Sequence, residues 1–590
     1  MSCAGDMERL TRAWLDFCRN DQVVLFFLAA IIGMAAGYGA IGFRLLAAGF
    51  QWGFFGNFMD QIVSKAADLP WWHLILVPTL GGLAIGLFTK HVLPGRLPQG
   101  VADVMAASAL RSGRMSLREG LAAALVSAGS IGCGASVGRE GPIVHLGATF
   151  ASAVAQRMHL SPSLARTLLG CGVAAAIASA FNAPIAGVFF ALEVVIGHYG
   201  IGAFSPVVIS SVVGTVITRI HIGADAAFIL PPQQVTSFWE LPAFVILGPV
   251  CALAAMGLLK GIALVQATHD QIGIPGWLRP MAAGLLVGVI AIQFPEVLGV
   301  GYEVTDNTLK GSYGLTLLIL LAFAKGTATV VCLGSGFGGG IFSPSLVLGA
   351  LVGSAYGLVA VGFFPDLGSS TSVYALLAMA AVAACTLGAP ISTIIMVFEL
   401  TGDYGITFAL MVTVSIASLL CRQLHWHSFF SWQLLRRGIN LYERHDQQVL
   451  ARRNVSEIMR PEVMTVDLEA DLDHLKSMFL HRHLPIFVVD YERRLVGTIH
   501  FEDLADAAFE PDPEKAPTAN DLVHRLPVVL TPEDDLEKAL RVCEANHEEH
   551  MPVVKDEVSM EVVAEVRLTD LFLAQNQALL EARALEQGER

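Results

Sequence analysis

Gly138-Arg139-Glu140-Gly141-Pro142 places an ionisable carboxylate inside a stretch that is otherwise nearly all Gly, Ala, Ser, Val, Ile and Leu, from Ser127 to Ala151. A charge at bilayer depth costs roughly 2.5–3.5 kcal/mol on insertion scales, so such residues commonly face an ion or substrate pathway. The flanking glycines carry no side chain, which leaves their backbone N–H groups open to close approach by a small anion. Pro142 falls near the first position of an expected apolar helix, where a missing N–H does no harm. A second turn of the same kind, Gly338-Gly339-Gly340-Ile341-Phe342-Ser343-Pro344, precedes the apolar run Ser345–Phe363. Helix starts carry unpaired N–H groups and about half a positive charge each, so two of them converging would hold an anion without a full cation. Glu140 can occupy such a site as a tethered anion, and its protonation would vacate it.

Outward from these turns, the 590-residue chain is 54% hydrophobic and 15% charged, with a mean hydropathy of +0.60, which places most of it in a membrane. Apolar segments fall near 22–50, 72–93, 119–135, 143–157, 165–181, 184–197, 203–219, 239–266, 278–293, 314–332, 345–363, 373–386, 390–400 and 405–421. Several are shorter than the ~20 residues of a perpendicular span. Gly or Pro interrupts many of them, as expected of half-helices around a buried pathway. Asn182-Ala183-Pro184 is followed by Glu193, nine positions after the proline, and Gly388-Ala389-Pro390 is followed by Glu399 at the same spacing. Corresponding broken segments in two halves predict a binding site at the repeat interface. Glu193 and Glu399 themselves read more readily as polar caps than as transport groups.

The charge distribution divides the chain. Residues 441–590 carry 32 acidic and 16 basic residues, whereas 1–440 carry 19 and 21. An acidic α/β tail is therefore expected on a nearly neutral membrane body, with nothing basic enough for nucleic acid. In that tail, Ala470–Leu480 and Leu536–Cys543 have helical spacing, and 486–490, 495–499, 551–554 and 562–566 read as strands. The boundaries expected are a cytoplasmic N-terminal helix over 1–20, a membrane domain over 21–440, a linker over 441–454, one α/β module over 455–510, a linker over 511–517, a second module over 518–575 and a tail over 576–590. Arg436, Arg437, Arg452 and Arg453 after the last apolar segment favour a cytoplasmic C-terminus. The nine cysteines show no paired spacing and read as small hydrophobes. Gly134–Gly138 fits G-x-S-x-G and Gly334–Gly339 fits G-x-G-x-x-G, but neither has the strand and helix context its chemistry requires. The histidines have no metal-ligand spacing, no nucleophile–base pair emerges, and neither a metal nor an enzyme activity is expected.

These residues resemble the CLC family of chloride channels and chloride/proton antiporters. Gly138–Pro142 matches the family's GREGP and Gly340–Pro344 its GxFxP, while 181–184 and 390–399 match two further signatures. The tail resembles a tandem CBS pair. The resemblance implies an all-α polytopic membrane fold of two inverted repeats, assembled as a homodimer. The short loops are those of a protein of a cell (inner) membrane, and the charged flanks of the apolar body put both termini on the cytoplasmic side. The resemblance makes Glu140 the gating glutamate and assigns anion binding to the backbone at Gly138, Arg139, Gly141, Ile341 and Phe342. Chloride would be the transported ion, with no cofactor required. Gln99 stands where the family has an anion-coordinating serine, and Phe430 where it has a pore tyrosine. Val194 falls at the internal proton-glutamate position of the antiporters, which points to passive conduction. Proton-coupled exchange, with Glu193 as an internal proton route, stays open as the alternative, as does a membrane-anchored CBS sensor. Asp503 and Asp570 are the candidates for an adenosine nucleotide's ribose in the CBS modules, although His500 and Arg567 replace the usual hydroxyl residues.

Overall fold

The computed structural model describes residues 21–56, 62–66, 68–93, 98–223, 228, 235, 237–363, 369–424, 427–439, 453–482, 485–504, 517–525, 528–546 and 548–587. The expected N-terminal helix over 1–20 and most of both linkers lie outside these residues. The chain forms two compact units that meet in sequence at Ile439 and Asn440.

Among the described residues the first unit is helical, and apart from the single-turn helix Ile62–Ala66 its α-helices before Phe429 fall into two runs of eight. The first comprises Asp21–Phe55, Trp71–Val92, Val101–Leu110, Leu117–Gly132, Glu140–Arg157, Pro162–Phe181, Pro184–Phe190 (continued by the wider turn Ala191–Ile196) and Ile201–Ile222. The second comprises Leu241–Ile272, Arg279–Gln293, Tyr302–Leu309, Leu315–Gly334, Phe342–Phe363, Thr371–Leu387, Pro390–Thr401 and Tyr404–Gln423. A last short helix, Phe429–Arg436, follows. Among the described residues eight helices are long and apolar enough to span a bilayer.

The short helices Val101–Leu110, Tyr302–Leu309 and Phe429–Arg436 are absent from the apolar segments read in the sequence. With ten, eight and eight residues, they carry too few turns to stand out as apolar runs. Proline opens several helices at the position where its lost N–H costs nothing, as at Pro162, Pro184 and Pro390. Asn182 and Gly388 close the preceding helices in matching left-handed conformations, φ 58° and 71°. In each half the helix after the Gly-rich turn packs on the next one, Glu140–Arg157 on Pro162–Phe181 and Phe342–Phe363 on Thr371–Leu387. The crossings are lined by glycine. A Cβ on Gly172 would stand 2.3 Å from the Gly147 carbonyl oxygen, and one on Gly349 would stand 2.5 Å from that of Ala378.

The two halves are related by exchange. Gly134 and Gly336 share φ +89°. Four residues further on, Gly138 and Gly340 pair as an antiparallel bridge, each N–H donating to the other's carbonyl at 2.7 Å. Such self-complementary pairing of equivalent residues is what a local two-fold relation produces.

The second unit contains a four-stranded sheet of order β1-β2-β3-β4 (Thr465–Asp467, Ile486–Val489, Leu495–Ile499, His524–Arg525) and the hairpin-like pair β5-β6 (His550–Val554, Val562–Arg567). β1 runs parallel to β2, and β2 antiparallel to β3. Helices Leu472–Arg482 and Leu536–Asn546 supply the apolar faces of two small cores. Val455 packs in the core of the second module although it precedes the first, and Ala519 packs in the core of the first. The modules thus exchange their leading segments, which a linear boundary cannot express. The segment read as a tail from 576 continues the helix Leu568–Gln587.

Candidate functional site

The Gly138–Gly340 bridge brings the starts of two helices face to face. Glu140 is the first residue of one, and Phe342, its equivalent two residues after the bridging glycine, is the first of the other. The close approach requires glycine. A Cβ on Gly340 would lie 2.9 Å from the Gly141 nitrogen, and one on Gly141 would lie 3.0 Å from the Gly340 Cα. Gly340→Ala is accordingly expected to part the two helix starts, read as loss of chloride binding by calorimetry on the solubilised protein.

Glu140 is buried at 1% exposure, and its carboxylate sits across the gap at the start of the opposite helix. The Ser343 N–H donates to Oε2 at 3.3 Å, while the Ser343 and Tyr302 hydroxyls donate to Oε1 at 2.5 and 2.9 Å. Arg139, the neighbouring cation, stays 3.9 Å from Oε1 and lays its guanidinium over the Tyr302 ring, 4.3 Å from the centroid. The carboxylate is thus held chiefly by neutral donors at a helix start.

A cavity of about 600 Å³ reaches this point, and Gln99, Glu140, Gly141, Ile341, Phe342 and Phe430 all line it. Among the described residues no protein acceptor takes the N–H groups of Gly141, Ile341 or Phe342. Gly138 departs from its expected role. Its N–H is spent on the Gly340 carbonyl, because that bridge is what holds the helix starts together. Neither Gly138 nor Arg139 lines the cavity. Aromatic rings cluster on the lining: Phe342 packs 6.0 Å from Phe190 and 4.9 Å from Phe181 behind it, and Phe429 lies 5.9 Å from Phe430. Gln99 donates to Glu119 at 3.3 Å. Lys90, Arg279, Arg436 and Arg437 share the lining with Asp270 and Glu140. This surplus of cations draws small anions inward. Arg279 and Arg436 both bind Asp270 at 3.0 Å, which fixes their positions.

Glu193 stands outside this cavity. Its carboxylate accepts from Ile391 N at 3.1 Å and from Ser392 N at 2.8 Å, at the start of Pro390–Thr401 in the other half. Glu399 reciprocates, accepting from Ile185 N at 2.9 Å and Ala186 N at 2.8 Å at the start of Pro184–Phe190. The nine-residue spacing therefore encodes crossed caps, and each carboxylate lies where the helix dipole favours it. Glu193→Gln and Glu399→Gln are each expected to cost about 1 kcal/mol, as lost helix caps do. A thermal midpoint equal to the parent's for both variants would show the caps to be idle.

In the second unit the two candidate nucleotide aspartates are engaged. Asp503 accepts from the His500 N–H at 2.8 Å and pairs with His524 at 2.6 Å. Asp570 takes a two-pronged pair from Arg460 at 2.7 and 2.8 Å.

The hydroxyls of Tyr302 and Ser343 and the basic lining were not picked out in the sequence. Ser343 lay in plain view inside Gly340–Pro344, whereas Tyr302 follows Gly301 with no pattern to mark it.

Against known proteins, the family model described as voltage gated chloride channel matches residues 81–422, and that of the CBS domain matches 455–510. A ClcB-like protein of Ralstonia nicotianae is 36% identical over 65% of this chain and 90% of its own length. The voltage-gated ClC-type chloride channel ClcB of Escherichia coli is 32% identical over 68% of this chain and 97% of its own. In fold, the chain resembles a slow cyanobacterial Cl-/H+ antiporter with a TM-score of 0.62, at 22% identity, over 71% of this chain and 99% of that one.

Proposed function

Because this chain belongs to the CLC family of voltage-gated chloride channels, we propose that it carries chloride across a membrane through the cavity that ends at Glu140, by passive conduction gated by that carboxylate. The observation that carries the reading is the seat of Glu140: its two oxygens accept N–H and O–H donors at the start of Phe342–Phe363, where a halide would be received. Chloride drawn in by the basic lining reaches the free N–H groups of Gly141, Ile341 and Phe342. These partial charges hold it weakly enough to let it leave. Further passage requires the carboxylate to move aside, either displaced by the ion or neutralised by a proton.

Uncoupled conduction is favoured by the residues around position 194. Val194 is apolar and nearly buried, and Glu193 beside it is committed to the start of Pro390–Thr401. An apolar side chain relays no proton. Reconstituted vesicles test this, with the reversal potential measured under crossed chloride and pH gradients. A potential set by chloride alone is expected, and one that shifts with the pH gradient replaces conduction with proton-coupled exchange.

The proposal extends to a homodimer in an inner membrane with both termini on the cytoplasmic side, on the family likeness and the arginines at 436, 437, 452 and 453. The CBS pair is assigned an adenosine nucleotide only with Asp503 and Asp570 released from His524 and Arg460. Calorimetric titration with AMP and ATP is expected to show binding that Asp570→Ala removes, and no heat in the parent would leave the module a structural one.

A further inference from the structure

Two of the three donors that hold Glu140 are side-chain hydroxyls, and one of them belongs to an element far from the Gly-rich turns. Tyr302 opens the helix Tyr302–Leu309, directly after Gly299-Val300-Gly301, where both glycines are left-handed at φ +66° and +99°. This segment is pinned from beneath. The ammonium of Lys325, 1% exposed, donates to the carbonyls of Val297 and Gly299, each at 2.9 Å. It is also pressed tightly onto its neighbours, since a Cβ on Gly301 would lie 2.8 Å from Val347 Cγ2. The phenol ring is fixed in turn by Arg139 at 4.3 Å and Phe228 at 5.1 Å. Its hydroxyl is thereby brought within 2.9 Å of Oε1 of Glu140, with the Ser343 hydroxyl at 3.4 Å beside it.

Resting on the reading of Glu140 as gate, we infer that Tyr302 is a positioning residue that latches the gate shut, with the Ser343 hydroxyl as its second half. Both hydroxyls donate to the same oxygen, an arrangement suited to the ionised carboxylate. A proton on that oxygen would turn an acceptor of two bonds into a competing donor. Bonds from O–H to a carboxylate are about twice as strong as neutral ones, so the latch favours the ionised, seated state over release. The charged or titratable groups around the carboxylate are Arg139 on its own segment, Tyr302 itself, and Lys325 behind the pinned loop. Within the cavity they are Lys90, Asp270, Arg279, Arg436 and Arg437. The first turn of Phe342–Phe363 contributes none. Tyr302→Phe removes one oxygen atom and leaves every other of these groups in place.

The test is chloride efflux from vesicles holding the full-length protein, followed across external pH. Tyr302→Phe is expected to move the half-activation point by about one pH unit towards alkaline, a tenfold easing of release. Ser343→Ala should move it in the same direction. In a Glu140→Gln background, Tyr302→Phe should change efflux by less than about twofold, since a latch without its carboxylate has nothing to hold. Profiles of Tyr302→Phe and Ser343→Ala that superimpose on the parent's, with Glu140→Gln flattened, would sink the latch and leave the gate standing. An equal loss of flux at every pH in both backgrounds would overturn it as well, as mere structural damage. If Glu140→Gln keeps the parent's pH response, the gate reading fails first and the latch falls with it.

Discussion

Chloride efflux through a Glu140→Gln protein is expected to change less than about twofold across external pH, where the parent's efflux responds. The substitution keeps the size and shape of the side chain and removes the negative charge. In the parent, that charge sits at the start of Phe342–Phe363 with three donors on it. Bonds to an ionised acceptor contribute about 1.5–3 kcal/mol each. Their weakening in the amide lets an arriving anion take the seat at any pH. Flux in the variant should therefore match or exceed that of the parent at neutral pH, and it should depend on chloride alone. A variant that remains as pH-sensitive as the parent would place the titrating group elsewhere.

The second large effect is on folding. Gly172→Val is expected to abolish accumulation of folded protein, read as loss of a monodisperse peak after extraction in mild detergent. Gly172 and Gly147 face each other across the crossing of Pro162–Phe181 and Glu140–Arg157, and an added Cβ would approach backbone at 2.3 and 2.4 Å. Backbone cannot step aside as a flexible side chain can. Overpacking a close crossing costs about 1–3 kcal/mol for a modest intrusion, and three added carbons at such contact exceed that. A control lies at Gly257, which has open space where its Cβ would be, so Gly257→Val should extract normally. Because Glu140 begins one of the two helices in the crossing, a milder Gly172→Ala should also disturb gating.

Much of the membrane unit is legible from Gly138–Pro142 and Gly340–Pro344. Glycine followed by an apolar run after proline marks a helix start, and two such starts mark a meeting point. The family resemblance placed Glu140, Gly141, Ile341 and Phe342 together, and they do line one cavity. It failed at Gly138, whose N–H was counted as available when the bridge to Gly340 consumes it. Backbone pairing between residues 202 positions apart leaves no local signature in either segment. The same limit hid Tyr302, because a single hydroxyl acquires its direction from Lys325, Arg139 and Gly301 rather than from its neighbours in the chain. The Pro-to-Glu spacing of nine revealed the repeat but not that each glutamate serves the opposite half. Short helices such as Tyr302–Leu309 escaped because eight residues hold barely two turns of pattern.

The crossed glutamates bear on how the polypeptide is made. When the ribosome has finished Ile201–Ile222, Glu193 still lacks its seat, and the start of Pro184–Phe190 waits for a carboxylate about two hundred residues downstream. Each lobe therefore matures without its last cap, and the ~1 kcal/mol that each carboxylate contributes is gained only once the younger lobe has inserted.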